Sequence, residues 1–331
     1  MRQAVYHVTR PATAPAPIKA SSGPSVWLRR TLALALTAAL AVWFIQGAHW
    51  QGVGARLARV EAWQLAVAVA AFAVTYLLRA GRVFDEFRRT TPVHYAGILR
   101  ITLVHNASVN ILPFRSGEAA FPLLLSRWFG VPPTRAIAAL LWLRIQDAFV
   151  VLALAAFVWP GLPAWLRAAW IGAVALAAWA IPAWARRHPE ALEGHGRLRR
   201  IVLKLRAALA ESTRGSMRSW LWTVSNWSVK LAAQAWLLAA VLGAPLATGM
   251  AGAMGVELAA ILPIQGVAGF GTYEAGGAAL MRPHGIMLAD GLQAALALHL
   301  FVIGCALVAG ALAAMLLPGG QPKNDPTIDT P

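Results

Sequence analysis

The stretch NILPFRSGEAA, residues 110–120, interrupts an apolar chain with an amide, a guanidinium and a carboxylate. Proline removes an amide donor and obstructs the preceding helical turn, while glycine permits tight reversals. Pro113 and Gly117 therefore predict a break between two short helices rather than one continuous span. The polar residues at this break are Asn110, Arg115 and Glu118.

The composition on either side of this break is that of a membrane protein. The chain has 331 residues, of which 59% are hydrophobic and 13% charged. Continuous uncharged runs reach or exceed the roughly 17 to 25 residues that a spanning helix needs. They are rich in Ala and Leu and do not alternate as barrel strands do. The sequence therefore predicts an all-α polytopic membrane protein. Uncharged runs include residues 31–50, 62–78, 168–185, 231–256 and 291–322.

Six full spans are predicted from these runs and their flanks. The first is expected to be a retained span, because no small-residue cleavage site follows it. A first membrane half at 27–185 and a second at 219–317 would be flanked by a disordered tail at 1–26 and a short tail at 318–331. The predicted spans lie at about residues 31–50, 62–82, 136–159, 164–185, 219–243 and 288–317.

The net charge of +16 has an uneven distribution along the chain. Nine of the 29 Lys and Arg residues lie between Arg186 and Arg218, and most others lie in segments on the same predicted side. This bias predicts cytoplasmic termini in a bacterial-type cytoplasmic membrane. It explains the net positive charge by membrane topology, so binding of nucleic acid is not predicted. Segment 186–218 is predicted to be a basic amphipathic linker that binds anionic lipid headgroups. Its lipid-facing residues are expected to be Arg197, Arg199, Arg200, Lys204 and Arg206.

A second broken unit mirrors the first. The sequence AILPIQGVAGFGTYEAGG, within residues 246–281, repeats the order Leu-Pro, glycine, glutamate found within residues 96–130. Counting predicted crossings makes the two units enter the membrane from opposite sides, which defines an inverted repeat of re-entrant hairpins. Paired broken segments in inverted halves point to a transporter's central site. The predicted hairpin breakers are Pro113, Gly117, Pro263, Gly269 and Gly271.

Ionisable residues within apolar runs cost a few kcal/mol, about 2.5–3.5 on insertion scales, so each requires a reason. Arg144 and Asp147, three residues apart, are expected to neutralise each other, as a structural pair or within a pathway. Asn226, Lys230 and Gln234 recur every four residues and form a polar stripe, which is expected either to hydrogen-bond between helices or to let Lys230 pair with Glu257. Arg79 and Arg82 are expected to snorkel to the cytoplasmic interface. The candidate substrate site comprises Asn110, Arg115, Glu118, Arg144, Asp147, Lys230, Glu257 and Glu274.

At these residues the chain resembles the lysylphosphatidylglycerol synthase transmembrane-region family, over roughly residues 30–317. The features that carry the resemblance come in order along the chain. They are Asn110 with Leu112, Pro113, Arg115, Gly117 and Glu118; Arg144 with Asp147; and Leu262 and Pro263 with Gly269, Gly271 and Glu274. The resemblance implies translocation of a lipid or lipid-linked amphiphile, without the cytoplasmic transferase domain of the synthases.

The sequence thus predicts a flippase-like transporter in which Arg115 and the N-termini of the half-helices hold an anionic headgroup. The sequence does not decide among four kinds of cargo: phospholipid, aminoacylated lipid, polyprenyl-phosphate sugar and hopanoid-type lipid. No metal, cofactor or catalytic motif is predicted. Two alternatives remain: a membrane-embedded lipid-modifying enzyme, and an accessory subunit that recruits a cytoplasmic lipid-synthesis enzyme.

Overall fold

The structure is a computed structural model, and it describes residues 50–159, 161–187, 217–261 and 267–317, together with positions 203, 206, 207, 210, 212 and 213. All regular structure in this part of the chain is helical. The helices, numbered in chain order, are α1 (Trp50–Leu57), α2 (Ala62–Phe87), α3 (Tyr95–Ile111), α4 (Ala120–Phe129), α5 (Pro133–Ala155), α6 (Ala164–Arg186), α7 (Met217–Leu242), α8 (Leu246–Ile261), α9 (Thr272–Met281) and α10 (Leu288–Leu316).

Four of these helices, α2, α5, α6 and α10, are long and apolar enough to cross a membrane. They coincide with four of the six predicted spans. The span predicted at 219–243 exists as α7, but it qualifies only together with α8, from which it is bent by 120°. Polar and charged residues along α7 lower its hydropathy, which explains the difference. The span predicted at 31–50 and the tails at 1–26 and 318–331 lie outside the described residues.

The first broken unit is a helical hairpin, called here the first hairpin, made of α3, a 3₁₀ turn (Pro113–Ala119) and α4. Leu112 is extended, with φ −79° and ψ 134°, as expected for a residue that precedes proline. The turn then folds back against α3. A Cβ atom on Gly117 would collide with the backbone of Ser108, so only glycine permits this approach.

The second hairpin consists of α8, a 3₁₀ turn (Val267–Gly269) and α9. Pro263 lies in the undescribed segment 262–266. Gly269 and Gly271 have φ values of 86° and 87°, in the left-handed region that favours glycine. Ala268 also has a positive φ, 53°, which costs on the order of 1–3 kcal/mol and marks this turn as strained. The turns of the two hairpins contact each other.

The core joins both hairpins to the long helices. Phe87 of α2, Ile101 of α3 and Leu125 of α4 are fully buried in one apolar cluster with α5. A second cluster joins α2 and α3 to α7 and α10. Arg100 also ties α3 to the end of α10, because it donates to the carbonyl oxygens of Leu317 and Ala314 at 2.7 and 2.9 Å. Helix α6 packs against α5 but is otherwise little covered, with 6% of its most apolar window buried.

Candidate functional site

A cavity of about 470 Å³ lies where the turns of the two hairpins meet α2, α5, α7 and α10. Its wall combines apolar side chains with an unusual density of charge for the inside of an apolar helical bundle. Pockets of roughly 300–1,000 Å³ are typical of sites for small ligands. The charged residues of its wall are Arg79, Glu118, Arg144, Asp147, Lys230 and Glu257.

Most of the residues predicted from the sequence meet at this cavity, although they are spread over more than 140 positions of the chain. Glu274 lies just behind the wall. Arg115 belongs to the 3₁₀ turn of the first hairpin, and its side chain is outside the described part. The predicted site residues that line the cavity are Asn110, Glu118, Arg144, Asp147, Lys230 and Glu257.

The predicted pairing of Arg144 with Asp147 is not the main contact of either residue. Their charged atoms are 3.9 Å apart. Asp147 instead pairs with Arg82 of α2 at 2.6 Å, and Arg144 pairs with Glu118 of the first hairpin at 2.8 Å. The spacing of three residues places both side chains on one face of α5, but each finds a closer partner on another element. Both ion pairs therefore connect α5 to its neighbours.

Arg82 does not snorkel to an interface as the sequence suggested. It is 4% exposed and also donates to the carbonyl oxygen of Leu143 and to Gln146, at 2.7 and 3.0 Å. Asp147 accepts a further hydrogen bond from the indole Nε1 of Trp227 at 2.9 Å. A buried charge is tolerated when it is paired and its remaining hydrogen-bonding groups are satisfied. Asp147 and the two terminal nitrogens of Arg82 meet this condition, while Nε of Arg82 is buried without a hydrogen-bond partner among the described residues.

The predicted pair of Lys230 and Glu257 is confirmed, with Nζ and Oε1 2.6 Å apart. Gln234, one turn further along α7, donates to the same carboxylate oxygen at 2.6 Å. The ammonium of Lys230 also lies 4.6 Å from the ring centre of Trp227. The polar stripe on α7 therefore serves the second hairpin, because it anchors a buried carboxylate of α8 to the cavity wall.

Glu274 has a local role that the sequence did not show. Its Oε2 accepts from the backbone amide of Gly271 at 2.6 Å, and its Oε1 lies 2.7 Å from Nδ1 of His299. This carboxylate thus caps the start of α9 and matches the positive end of the helix dipole. The N-terminus of that half-helix, which was predicted to hold an anionic headgroup, is already occupied by a side chain of the protein.

The sequence reasoning missed several residues of the cavity wall, and Arg79 and Asn106 are two of them. Arg79 donates from Nη1 to Oδ1 of Asn106 at 3.0 Å, and both line the cavity. A signal was present: Phe72, Tyr76 and Arg79 recur at helical spacing on α2, and Asn106 precedes Asn110 by one turn of α3. Because Arg79 lies near the end of an apolar run, it was assigned to the interface instead.

The basic linker contributes one described residue to its predicted lipid-facing set, and that residue is not lipid-facing. Arg206 is 9% exposed, donates to the carbonyl oxygens of Trp184 and Arg187, and lies over the Trp184 ring. It therefore satisfies the end of α6, whose last carbonyl groups have no helical partner. The other predicted contacts, Arg197, Arg199, Arg200 and Lys204, lie outside the described residues.

In the described part of the chain, no group of three or more His, Cys, Asp or Glu side chains is placed to hold a metal ion. The chemistry that the cavity offers is charge recognition by fixed guanidinium, ammonium and carboxylate groups. Such groups, when held in an apolar surrounding, act more strongly on a charged ligand than they would in water.

One protein family matches the chain. No curated protein and no solved structure matches the chain. Residues 30–310, which include both hairpins and every cavity residue, match the lysylphosphatidylglycerol synthase transmembrane region. Together with its long apolar helices, this match makes the chain a multi-pass membrane protein. The chain belongs to the lysylphosphatidylglycerol synthase transmembrane-region family.

Proposed function

We propose that the protein is a flippase-like transporter that moves a lipid, or a lipid-linked amphiphile with a charged headgroup, between the two leaflets. The observation that carries this proposal is the charged cavity at the contact between the two broken hairpins. Its volume of about 470 Å³ has room for a headgroup, while acyl chains stay in the surrounding lipid. We place the protein in a bacterial-type cytoplasmic membrane with both termini in the cytoplasm, on the distribution of Lys and Arg.

The energetic argument starts from the cost of charge in a membrane. Each ionisable side chain costs a few kcal/mol in an apolar span, about 2.5–3.5 on insertion scales. The cavity wall holds six such side chains where apolar residues would pack at lower cost. Stability alone does not favour this arrangement. The arrangement is favoured if the cavity recognises a charged group that crosses the bilayer, because fixed opposite charges then offset the cost of desolvating that group.

We assign the conformational change that switches the accessible leaflet to the two hairpins. In inverted-repeat transporters, one repeat rocks against the other around a site formed by broken helices. Here Glu118 links the first hairpin to α5 through Arg144, and Glu257 links the second hairpin to α7 through Lys230. Exchange of these protein ion pairs for contacts with a headgroup would loosen one hairpin at a time. The same charges thus serve both binding and the change of accessible leaflet.

Transport fits these contacts better than catalysis. Each carboxylate of the cavity wall lies within 2.8 Å of a basic group, so the wall presents fixed charges of both signs that can exchange their protein partners for a charged ligand. We therefore propose that the protein is not an enzyme.

The test is reconstitution into liposomes with an assay that resolves the two leaflets for a panel of headgroup-labelled lipids. We expect transport of at least one lipid by the wild-type protein. We expect at least a tenfold lower rate in Glu118→Gln and in Arg115→Ala. Arg127→Gln is the matched control, because Arg127 is an exposed residue of α4. If no lipid in the panel moves, or if Glu118→Gln and Arg115→Ala transport at the wild-type rate, the proposal fails.

A further inference from the structure

The cavity holds one cation, Arg79, that forms no direct ion pair with a carboxylate of the described residues. Glu118 pairs with Arg144, Asp147 with Arg82, and Glu257 with Lys230, at 2.8, 2.6 and 2.6 Å. These three pairs account for every carboxylate of the cavity wall. Arg79 is left over, and within the described part its partner is the neutral amide of Asn106. The part of the wall around Arg79, together with Arg82 directly behind it, therefore carries one more positive than negative charge, because Arg79, Arg82 and Arg144 face only Glu118 and Asp147 among the carboxylates of that part of the described wall.

The surroundings of Arg79 hold its guanidinium in place. Its Nη1 donates to Oδ1 of Asn106 at 3.0 Å, and Asn106 lies on α3 next to the amide of Asn110. The guanidinium has five N–H donors in a fixed planar arrangement, and one contact uses one of them. Helix α2 places Arg79 on the same face as Thr75 and Tyr76, which also line the cavity. The remaining donors are thus available to a ligand in the cavity.

The positive charge is also local. The guanidinium groups of Arg79, Arg82 and Arg144 all lie within electrostatic range of the Asp147 carboxylate, and Arg144 is also paired with Glu118, so three cations share two carboxylates here. Lys230 and Glu257, on the wall formed by the second half, cancel each other. An anion beside Arg79 would therefore meet a region with more positive than negative charge. A cationic group there would be repelled, since like charges in an apolar surrounding interact strongly.

We propose that Arg79 binds the oxyanion of the transported headgroup, of the phosphodiester type, and that the cargo carries a net negative charge. This inference rests on the proposed function and specifies its substrate class. Arginine matches the geometry of a phosphate with two parallel hydrogen bonds, which a lysine does not provide. Asn106 is a positioning residue, because it orients the guanidinium without cancelling its charge.

Asn106 allows a sharp test. The substitution Asn106→Asp changes one atom and keeps an acceptor about where the amide oxygen stands, but it gives Arg79 the carboxylate that the wild type withholds. We expect this variant to fold and to lose affinity for an anionic lipid by about 10- to 100-fold, the loss of one charge-assisted contact. Arg79→Gln should lose as much, and Arg79→Lys should lose less. Arg88→Gln is the control, because Arg88 is exposed and pairs with Asp85.

The measurement is calorimetric titration of the full-length protein in an uncharged detergent. The probes are dihexanoylphosphatidylglycerol, which is anionic, dihexanoylphosphatidylcholine, which is zwitterionic, and inorganic phosphate. We expect the anionic lipid to bind at least tenfold more tightly than the other two, with Asn106→Asp and Arg79→Gln removing this preference and Arg88→Gln keeping it. Equal binding of the zwitterionic lipid, or of free phosphate, would overturn the assigned substrate class. Wild-type affinity in Asn106→Asp would overturn the role of Arg79.

The liposome assay separates this inference from the proposed function. If Asn106→Asp loses the anionic lipid while the wild-type protein transports no lipid, the binding site stands and the transport function fails. If the wild-type protein transports lipid and Arg79→Gln transports the same lipid at the same rate, the transport function stands and the assignment of Arg79 fails.

Discussion

The pair of Lys230 and Glu257 should behave as an energetically coupled unit in unfolding experiments. The two side chains are 15% and 5% exposed, and their charged atoms are 2.6 Å apart. At an effective dielectric constant of about 20, two charges at this distance attract by about 6 kcal/mol before any desolvation cost. Desolvation cancels much of this attraction, so the net value of the intact pair is small.

Removal of one partner has a larger effect than removal of both. Lys230→Met leaves the carboxylate of Glu257 buried, with the amide of Gln234 as its one remaining side-chain donor among the described residues. Glu257→Gln leaves a buried ammonium near the ring of Trp227. We expect each single substitution to lower the free energy of unfolding by about 3–5 kcal/mol, because a buried charge loses its partner. The double variant should be at least about 1.5 kcal/mol more stable than the sum of the two losses predicts.

The assay is reversible unfolding in mixed micelles with increasing sodium dodecyl sulfate, followed by circular dichroism for the wild type, both single variants and the double variant. Arg127→Gln on the exposed side of α4 should unfold like the wild type. Additive losses, within about 0.5 kcal/mol, would show that the two residues do not interact and would refute this account of the cavity wall.

Three further predictions concern the elements around the cavity. Gly255→Ala should destabilise the protein by about 1–3 kcal/mol in the same unfolding assay, because its Cβ would collide with the backbone of α9, whereas Gly172→Ala on α6 meets no atom within 4 Å and should be neutral or stabilising. Arg144→Gln removes the partner of Glu118, so hydrogen exchange in the turn of the first hairpin should become faster, and unchanged exchange would contradict the pairing. Arg100→Met should lower the free energy of unfolding by about 1–3 kcal/mol, because two carbonyl groups at the end of α10 lose their donor, while a wild-type value would contradict that role.

Much of the architecture could be read from local patterns. Long uncharged runs predict membrane helices, because no other structure satisfies backbone hydrogen bonds within lipid. Leu112 before Pro113 predicts a helix end at that position, and the chain does leave α3 there. The match of Lys230 to Glu257 was also predictable, since a buried cation and a buried anion in the same half of a small bundle have few other partners. These inferences depend on composition and on neighbours along the chain.

The ion-pair partners of the other charged residues depended on how helices far apart in the sequence pack together. Spacing along α5 suggested that Arg144 and Asp147 neutralise each other, but Arg82 and Glu118 lie closer once α2 and the first hairpin pack against α5. Position near the end of an apolar run suggested that Arg79 faces an interface, whereas the packing of α2 against α3 turns it toward the cavity.

The sequence by itself determined that the chain forms membrane helices, where two of its segments are interrupted, and which ionisable residues are costly enough to need partners. Only the tertiary structure decided how those residues pair and which cation stays without a carboxylate among the described residues. The physical reason is that helix formation and helix breaking depend on near neighbours, whereas the energy of a buried charge depends on distances of a few ångströms between residues far apart in the chain.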